Sequence, residues 1–228
     1  MNEDAFSAAR EDMIEHQLRQ RGVVNEQVLG AMSKVPRHLF VSPEFEDRAY
    51  EDEALPSMEG QTISQPYMVG MMTQQLAAED GHKVLEIGTG TGYQTAILAE
   101  IVGTAGIIYT IERDARLAGS AQWRLDKMAI TNVEFFVGDG SAGWPEKGAV
   151  FDRILVTAGA PEIPVPLLAQ LRENGVMVVP VGDRASQKLL RVVKRSGSQR
   201  GYEELELFKC RFVPLVGQHG WSAADVKE

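Results

Sequence analysis

Three carboxylates and a glycine turn carry the first chemical signal in this chain. Val84-Leu85-Glu86-Ile87 reads as a buried strand. It runs through Gly88-Thr89-Gly90-Thr91-Gly92 into an apolar stretch, Tyr93–Ala99, with helical spacing. A strand, a glycine turn and a helix make the first unit of a nucleotide-binding α/β sheet. Without a Cβ the turn can be tight and a ligand can lie against its backbone. Glu86 sits inside that strand, Glu112 ends the next one and Asp139 ends the third. Three acids around one cleft suit a cation. S-adenosylmethionine offers a sulfonium and an ammonium and no phosphate, whereas the pyrophosphate of NAD would be repelled. The dinucleotide fingerprint also asks for a third glycine where this chain has Tyr93.

A second chemical stretch lies upstream, in Gly60-Gln61-Thr62-Ile63-Ser64-Gln65-Pro66-Tyr67. Pro66 suits the first position of a helix, with Gln65 or Ser64 as its N-cap. Thr62 and Ser64 then lie on a loop beside free helix N–H groups, a natural receptor for a carboxylate. No Ser-His-Asp or Cys-His constellation accompanies them. His16, His38, His82 and His219 are scattered over connectors and helices and read as structural or exposed. Ser64 is therefore expected to hydrogen-bond a substrate anion, not to attack. A carboxylate is already ionised at neutral pH. Its attack on a sulfonium methyl mainly needs alignment at about 3 Å, which can supply several kcal/mol of the barrier.

The elements that must position these groups follow in order. A helix is expected over 5–20, and Asn25 can cap a second, short one with Val28, Leu29 and Met32 inward that ends before Pro36. An extended connector over Val35–Val41 and an exposed acidic run over 44–53 come next. Strands are expected at 84–87, 106–112, 133–137, 151–157, 176–181, 188–194 and 205–213. The first five alternate with helices, which implies right-handed parallel crossovers. The last two form a hairpin. The fold class is α/β: a Rossmann-like, doubly wound, mostly parallel seven-stranded sheet with a C-terminal antiparallel hairpin and an N-terminal helical extension. One domain is expected, with the extension at 1–59, the binding core at 60–216 and a tail at 217–228. Cys210 and the methionines at 68, 71 and 72 read as core filler. Arg191, Lys194, Arg195 and Arg200 read as a solvated basic spot.

Composition narrows the class. Charged residues make 24% of the 228, hydrophobic ones 44%, and the net charge is −9. An acidic chain argues against nucleic-acid or membrane-surface binding. A single cysteine, Cys210, allows no intrachain disulfide and no Cys-based metal site. A cytoplasmic, metal-free monomer is expected.

A family resemblance sharpens this reading. Gly60–Met68, Val84–Gly92, Gly138-Asp139-Gly140 with Gly143-Trp144, Val156-Thr157-Ala158 and Arg211-Phe212-Val213-Pro214-Leu215 together resemble protein-L-isoaspartate O-methyltransferases. The Val35–Val41 connector resembles that family too, and the likeness spans about residues 10–216. It implies methyl transfer from S-adenosylmethionine, leaving S-adenosylhomocysteine, to the free α-carboxyl of L-isoaspartyl residues in damaged proteins and peptides. It implies Ser64 as the active-site residue. Thr62, Glu86, Gly88, Gly90, Glu112, Asp139 and Gly140 are implied as cofactor ligands, and Val213 as part of the substrate pocket. Glu86 stands where many relatives carry Asp, and Gly159-Ala160 where they often carry Ala-Pro. A small-molecule carboxylate methyltransferase, an NAD-dependent oxidoreductase and a non-catalytic cofactor-binding module are the rival readings.

Overall fold

The computed structural model describes residues 3–57 and 61–224. Two short strands, β1 (Leu55–Pro56) and β2 (Thr62–Ile63), pair antiparallel, so Thr62 lies in a strand and not on a loop as expected, and Ser64 follows just beyond it. The main sheet contains β3 (Lys83–Ile87), β4 (Ile107–Glu112), β5 (Val133–Val137), β6 (Phe151–Val156), β7 (Leu171–Gly182), β8 (Gln187–Lys194) and β9 (Tyr202–Cys210). Their order is β5-β4-β3-β6-β7-β8-β9, parallel as far as β7 and antiparallel through β8 and β9. The strand order therefore reverses between β3 and β6, and such a sheet opens a crevice at the carboxyl ends there.

Helices α1 (Glu3–Asp12), α2 (Glu26–Lys34), α3 (Pro66–Leu76), α4 (Tyr93–Val102), α5 (Ala115–Lys127) and α6 (Val165–Gln170) surround the sheet. Asn25 caps α2 as expected, its side chain accepting from the Gln27 and Val28 amides. Val84, Ile97 and Leu98 share one apolar cluster with Met13, Leu18, Leu29 and Met32. The N-terminal helices thus complete the core on one face of the sheet. Leu85, Ile87, Ile111 and Ile154 face a second cluster.

Several boundaries differ from the sequence reading, each for a packing reason. The helix expected over 5–20 is α-helical only to Asp12. It widens to a π-helix over Met13–Leu18, tightens over Arg19–Arg21, and ends at Gly22 with φ 93°. The wider turn brings residues five apart toward one side, and Met13 and Leu18 are both fully buried. The connector expected to be extended coils into a 3-10 turn at Arg37–Phe40, which sinks Arg37, His38 and Phe40. Helix α3 ends at Leu76, with Ala77 left-handed. β7 begins at Leu171, before the expected 176. β9 ends at Cys210, so Arg211–Val213 leave the sheet. Half of the basic spot is paired with acids: Arg195 with Glu203 and Arg200 with Glu204, while Arg191 and Lys194 donate to backbone carbonyls and keep their charge.

Candidate active site

A cleft of about 1370 Å³ lies over the carboxyl ends of the central strands. Ligand pockets usually span about 300–1000 Å³, so this one has room for a cofactor and part of a second molecule. The glycine turn forms one part of its wall, with Glu112, Arg113, Gly138 and Gly140. Thr62, Ser64, Ala158, Arg211 and Val213 also line it. The expected gathering of the turn and the serine loop around one space is what the structure shows.

The turn has its shape because three glycines adopt left-handed backbone, with φ of 95° at Gly88, 53° at Gly90 and 87° at Gly92. Side chains are strained in that region. A Cβ on Gly88 would lie 2.4 Å from Thr157 Oγ1, whereas at Gly90 nothing lies within 4 Å. Gly88 is thus a packing requirement and Gly90 faces open space. Glu112 fixes the turn from the end of β4. Its Oε2 accepts the Gly90 amide at 3.0 Å, and its Oε1 accepts the Arg113 and Asp114 amides at 2.8 and 3.1 Å. Each carboxylate oxygen has two lone pairs, so acceptor capacity remains for a ligand hydroxyl.

The other two carboxylates are not on the wall, which corrects the expectation of three acids around the cleft. Glu86 is fully buried because it pairs in register with Thr110 between neighbouring strands. Its Oε2 accepts the Thr95 and Thr110 hydroxyls at 2.5 and 2.7 Å, and its Oε1 has no partner among the described residues. Burial pushes its pKa up to about 7, against the pull of those two hydroxyls. Thr110 Oγ1 in turn lies 2.6 Å from Thr89 Oγ1, so Glu86 reaches the glycine turn only through a chain of hydroxyls. Asp139 caps the Gly140–Ala142 turn. Its Oδ1 accepts the Ser141 amide and hydroxyl at 2.9 and 2.6 Å, and its Oδ2 accepts the Gln218 amide at 2.7 Å. Burial pushes this carboxyl up, but the Gln218 and Ser141 donors outweigh it and hold it below the usual range. The chain's own tail covers Asp139. A Cβ on Gly217 would meet Asp139 Oδ1 at 1.9 Å, so the crossing needs glycine.

The serine loop is also rearranged relative to expectation. Gln65 is the N-cap of α3 but makes no side-chain cap bond. The acidic run is exposed at Glu44, Asp47 and Glu51, as expected, but Asp52 folds back against α3. Asp52 Oδ1 accepts the Tyr67 amide at 3.3 Å, while Gln65 Nε2 donates to the Asp52 carbonyl and Oδ2 at 2.9 and 2.8 Å. Arg21 completes the cluster as the ion-pair partner of Asp52. The helix end is therefore partly capped by an internal carboxylate and is not an open anion receptor. Ser64 is half-buried on the cleft wall, and its hydroxyl has no partner among the described residues. Val213 is 52% exposed, and its carbonyl is taken by the Gly159 amide at 2.8 Å.

Sequence reasoning missed four groups that hold the site: Asp52, the threonine chain, Gln187 and Arg37. Gln187 is buried, and its Oε1 accepts the Phe212 amide at 2.8 Å, fixing the strand exit before Val213. A lone arginine in the apolar Val35–Val41 stretch was the one signal for Arg37. The histidines stay off the cleft wall, as expected; His38, for example, stacks on Phe6 with centroids 4.0 Å apart. Cys210 packs half-buried against the core, and burial pushes its thiol up to about 11.

Comparison with known proteins decides the family. A family model described as protein-L-isoaspartate(D-aspartate) O-methyltransferase matches residues 8–220. The chain belongs to this family. The protein-L-isoaspartate O-methyltransferase of Syntrophus aciditrophicus is 49% identical over 96% of this chain and 99% of its own length. The protein-L-isoaspartate O-methyltransferase 1 of Syntrophobacter fumaroxidans is 50% identical over 95% and 98%. A solved protein-L-isoaspartate O-methyltransferase superposes with a TM-score of 0.82 at 29% identity, covering 92% of this chain and 67% of that one. A Plasmodium falciparum structure, described as a protein-L-isoaspartate O-methyltransferase in complex with S-adenosyl-L-homocysteine, shares the fold. Its TM-score is 0.78 at 23% identity, over 91% of this chain and 98% of that one. This isoaspartate methyltransferase family member thus has the Rossmann-like methyltransferase fold expected from its sequence. Its wall fits the family's cofactor, with open space at Gly90, a carboxylate at Glu112 and room beside them.

Proposed function

We propose that this chain is a protein repair enzyme that methylates the free α-carboxyl of L-isoaspartyl residues in damaged proteins and peptides. The observation that carries this reading is the unpartnered Ser64 hydroxyl on the same cleft wall as the glycine turn and Glu112. S-adenosylmethionine, when bound, supplies an electrophilic methyl on a sulfonium. The chain's work is to bind and align. Thr62, Gly88, Gly90 and Gly140 line the cofactor's part of the cleft, and Glu112 accepts from its hydroxyls. Glu86 and Asp139 support that part from behind, through Thr110–Thr89 and through Gly140. Ser64 donates to the substrate carboxylate, and the Val213 side chain packs on the peptide. A substrate carboxylate oxygen would form the new bond to the methyl carbon as the carbon–sulfur bond breaks, the electron pair staying on the sulfur of S-adenosylhomocysteine, and no proton has to be removed first. In the resulting ester the neighbouring backbone amide nitrogen attacks the ester carbonyl and expels methanol, giving a succinimide that water reopens to aspartate or isoaspartate.

The same reading makes residues 1–228 one methyltransferase domain, with 1–59 as extension, 60–216 as binding core and 217–228 as tail. It makes the protein a cytoplasmic monomer whose partners are damaged proteins, with no metal, nucleic acid or membrane in the reaction. Among the described residues, no helix is long and apolar enough to cross a membrane, and no acid, His or Cys cluster of three or more could hold a metal ion.

Two measurements test it. Labelled methyl from S-adenosylmethionine should enter an isoaspartyl peptide and not its aspartyl twin; equal labelling of both, or of neither, refutes the assignment. Ser64→Ala should lower turnover about tenfold, the size of one lost hydrogen bond to a charged group. Cofactor affinity, measured by calorimetry, should stay within about threefold, because no bond from Ser64 supports the glycine turn. Full turnover in that variant removes Ser64 from the mechanism.

A further inference from the structure

Arg37 is a fully buried cation. Its Nε donates to the Ala49 carbonyl at 2.7 Å, and its Nη2 donates to the Ser64 carbonyl at 2.8 Å. Its Nη1 has no hydrogen-bond partner among the described residues. No carboxylate among them forms an ion pair with it. Asp52 acts on it through space but is itself tied to Arg21. The Tyr93 ring lies beneath the guanidinium, 5.0 Å from Cζ, and the Tyr93 hydroxyl faces Arg37 closely enough to favour its charge without completing a hydrogen bond of good geometry. Both Ser64 and Tyr93 line the cleft, so Arg37 stands one residue layer behind its wall.

A guanidinium stays protonated even when buried. Leaving it inside without an acid partner is costly, and the core tolerates such a charge poorly unless something compensates it. The bonds it does make explain where it sits. They hold the Ser64 carbonyl from behind, on a residue that lines the cleft. They do not explain why the residue is charged, since a neutral donor could hold two carbonyls. An anion arriving on the other side of the Ser64–Tyr93 layer would supply the missing charge. The interior screens such an interaction less than water does.

We propose that Arg37 is a positioning residue for the substrate carboxylate. It anchors the Ser64 carbonyl, and its unpaired charge makes the subsite select an ionised carboxylate over a neutral group of the same shape. This rests on the isoaspartyl reading above.

The test compares two peptides that differ in one group, an isoaspartyl peptide and its α-carboxamide twin. Their dissociation constants are measured with S-adenosylhomocysteine filling the cofactor site. The wild-type protein should prefer the carboxylate by about tenfold or more. Arg37→Met should lose most of that ratio, and so should Arg37→Lys, because a buried ammonium gives up its proton where a guanidinium keeps it. Arg37→Gln replaces the Met variant if the latter does not fold. A purely structural anchor gives a different result: both peptides weaken alike and the ratio stays at its wild-type value. That result, or a wild-type ratio near one, overturns the proposal. Activity separates this failure from the failure of the underlying reading. A wild-type protein that methylates the isoaspartyl peptide while the ratio ignores Arg37 refutes only the role of Arg37. A wild-type protein that leaves that peptide unmethylated refutes the isoaspartyl reading, and the role of Arg37 with it.

Discussion

Glu112→Ala should raise the dissociation constant for S-adenosylmethionine by roughly 100-fold, equivalent to about 2.7 kcal/mol. The size follows from what one carboxylate does here. It accepts three backbone amides, from Gly90, Arg113 and Asp114, and so holds the glycine turn against the end of β4. Bonds of this charged kind contribute about 1.5–3 kcal/mol each when a buried partner is left unmet. The variant loses the ligand contact and the geometry of the turn together. Calorimetric titration with the cofactor reads the affinity. The KM for an isoaspartyl peptide at saturating cofactor should move by less than about threefold, since Ser64 and its loop are held by other groups. A cofactor affinity within about threefold of wild type would show that Glu112 has no part in the site.

Glu86→Gln should flatten the pH dependence of stability between about pH 4.5 and 7 and stabilise the protein above that window. Burial raises the folded-state pKa of Glu86 from 4.5 to about 7. The folded state therefore binds more protons than the unfolded state between those values, and unfolding free energy falls as pH rises through them. Above the folded pKa the group is charged in both states and the full penalty is present. A shift of this size corresponds to about 3 kcal/mol. The amide is nearly isosteric and carries no charge, so urea titrations at pH 5 and pH 8 should differ less for the variant than for wild type. Identical pH slopes would mean that Glu86 is not the buried titrating group. Cofactor affinity should change far less than in Glu112→Ala, because Glu86 meets the turn only through Thr110 and Thr89. The two variants thus separate an acid on the wall from an acid behind it.

That separation marks the limit of what the chain order reveals. The short buried run Val84–Ile87 and the helical spacing after it, with Gly88, Gly90 and Gly92 between them, determine a strand–turn–helix unit locally, because left-handed backbone and apolar spacing are properties of a few adjacent residues. The alternation of five strands with helices, then a hairpin, determines the sheet and the edge on which ligands bind. The Thr62–Pro66 segment is equally local, and with the glycine turn it points to the reaction.

Which oxygen faces the cleft is a different kind of fact, and only the tertiary structure decides it. Glu86, Glu112 and Asp139 look alike in the sequence, all at or near strand carboxyl ends. Register with Thr110 buries the first, the Gly90 amide brings the second to the wall, and residues 217–218 cover the third from nearly eighty positions away. Asp52 reached its place on α3 in the same way, and the π-turn at Met13–Leu18 answered to a core that no short window contains. Arg37 is the furthest case. Its meaning lies in the absence of an acid beside it among the described residues, together with the presence of Ser64, and both depend on segments that meet only when the chain has folded. Local backbone preference wrote the elements into the sequence; desolvation and pairing across distant segments assigned each charge its role.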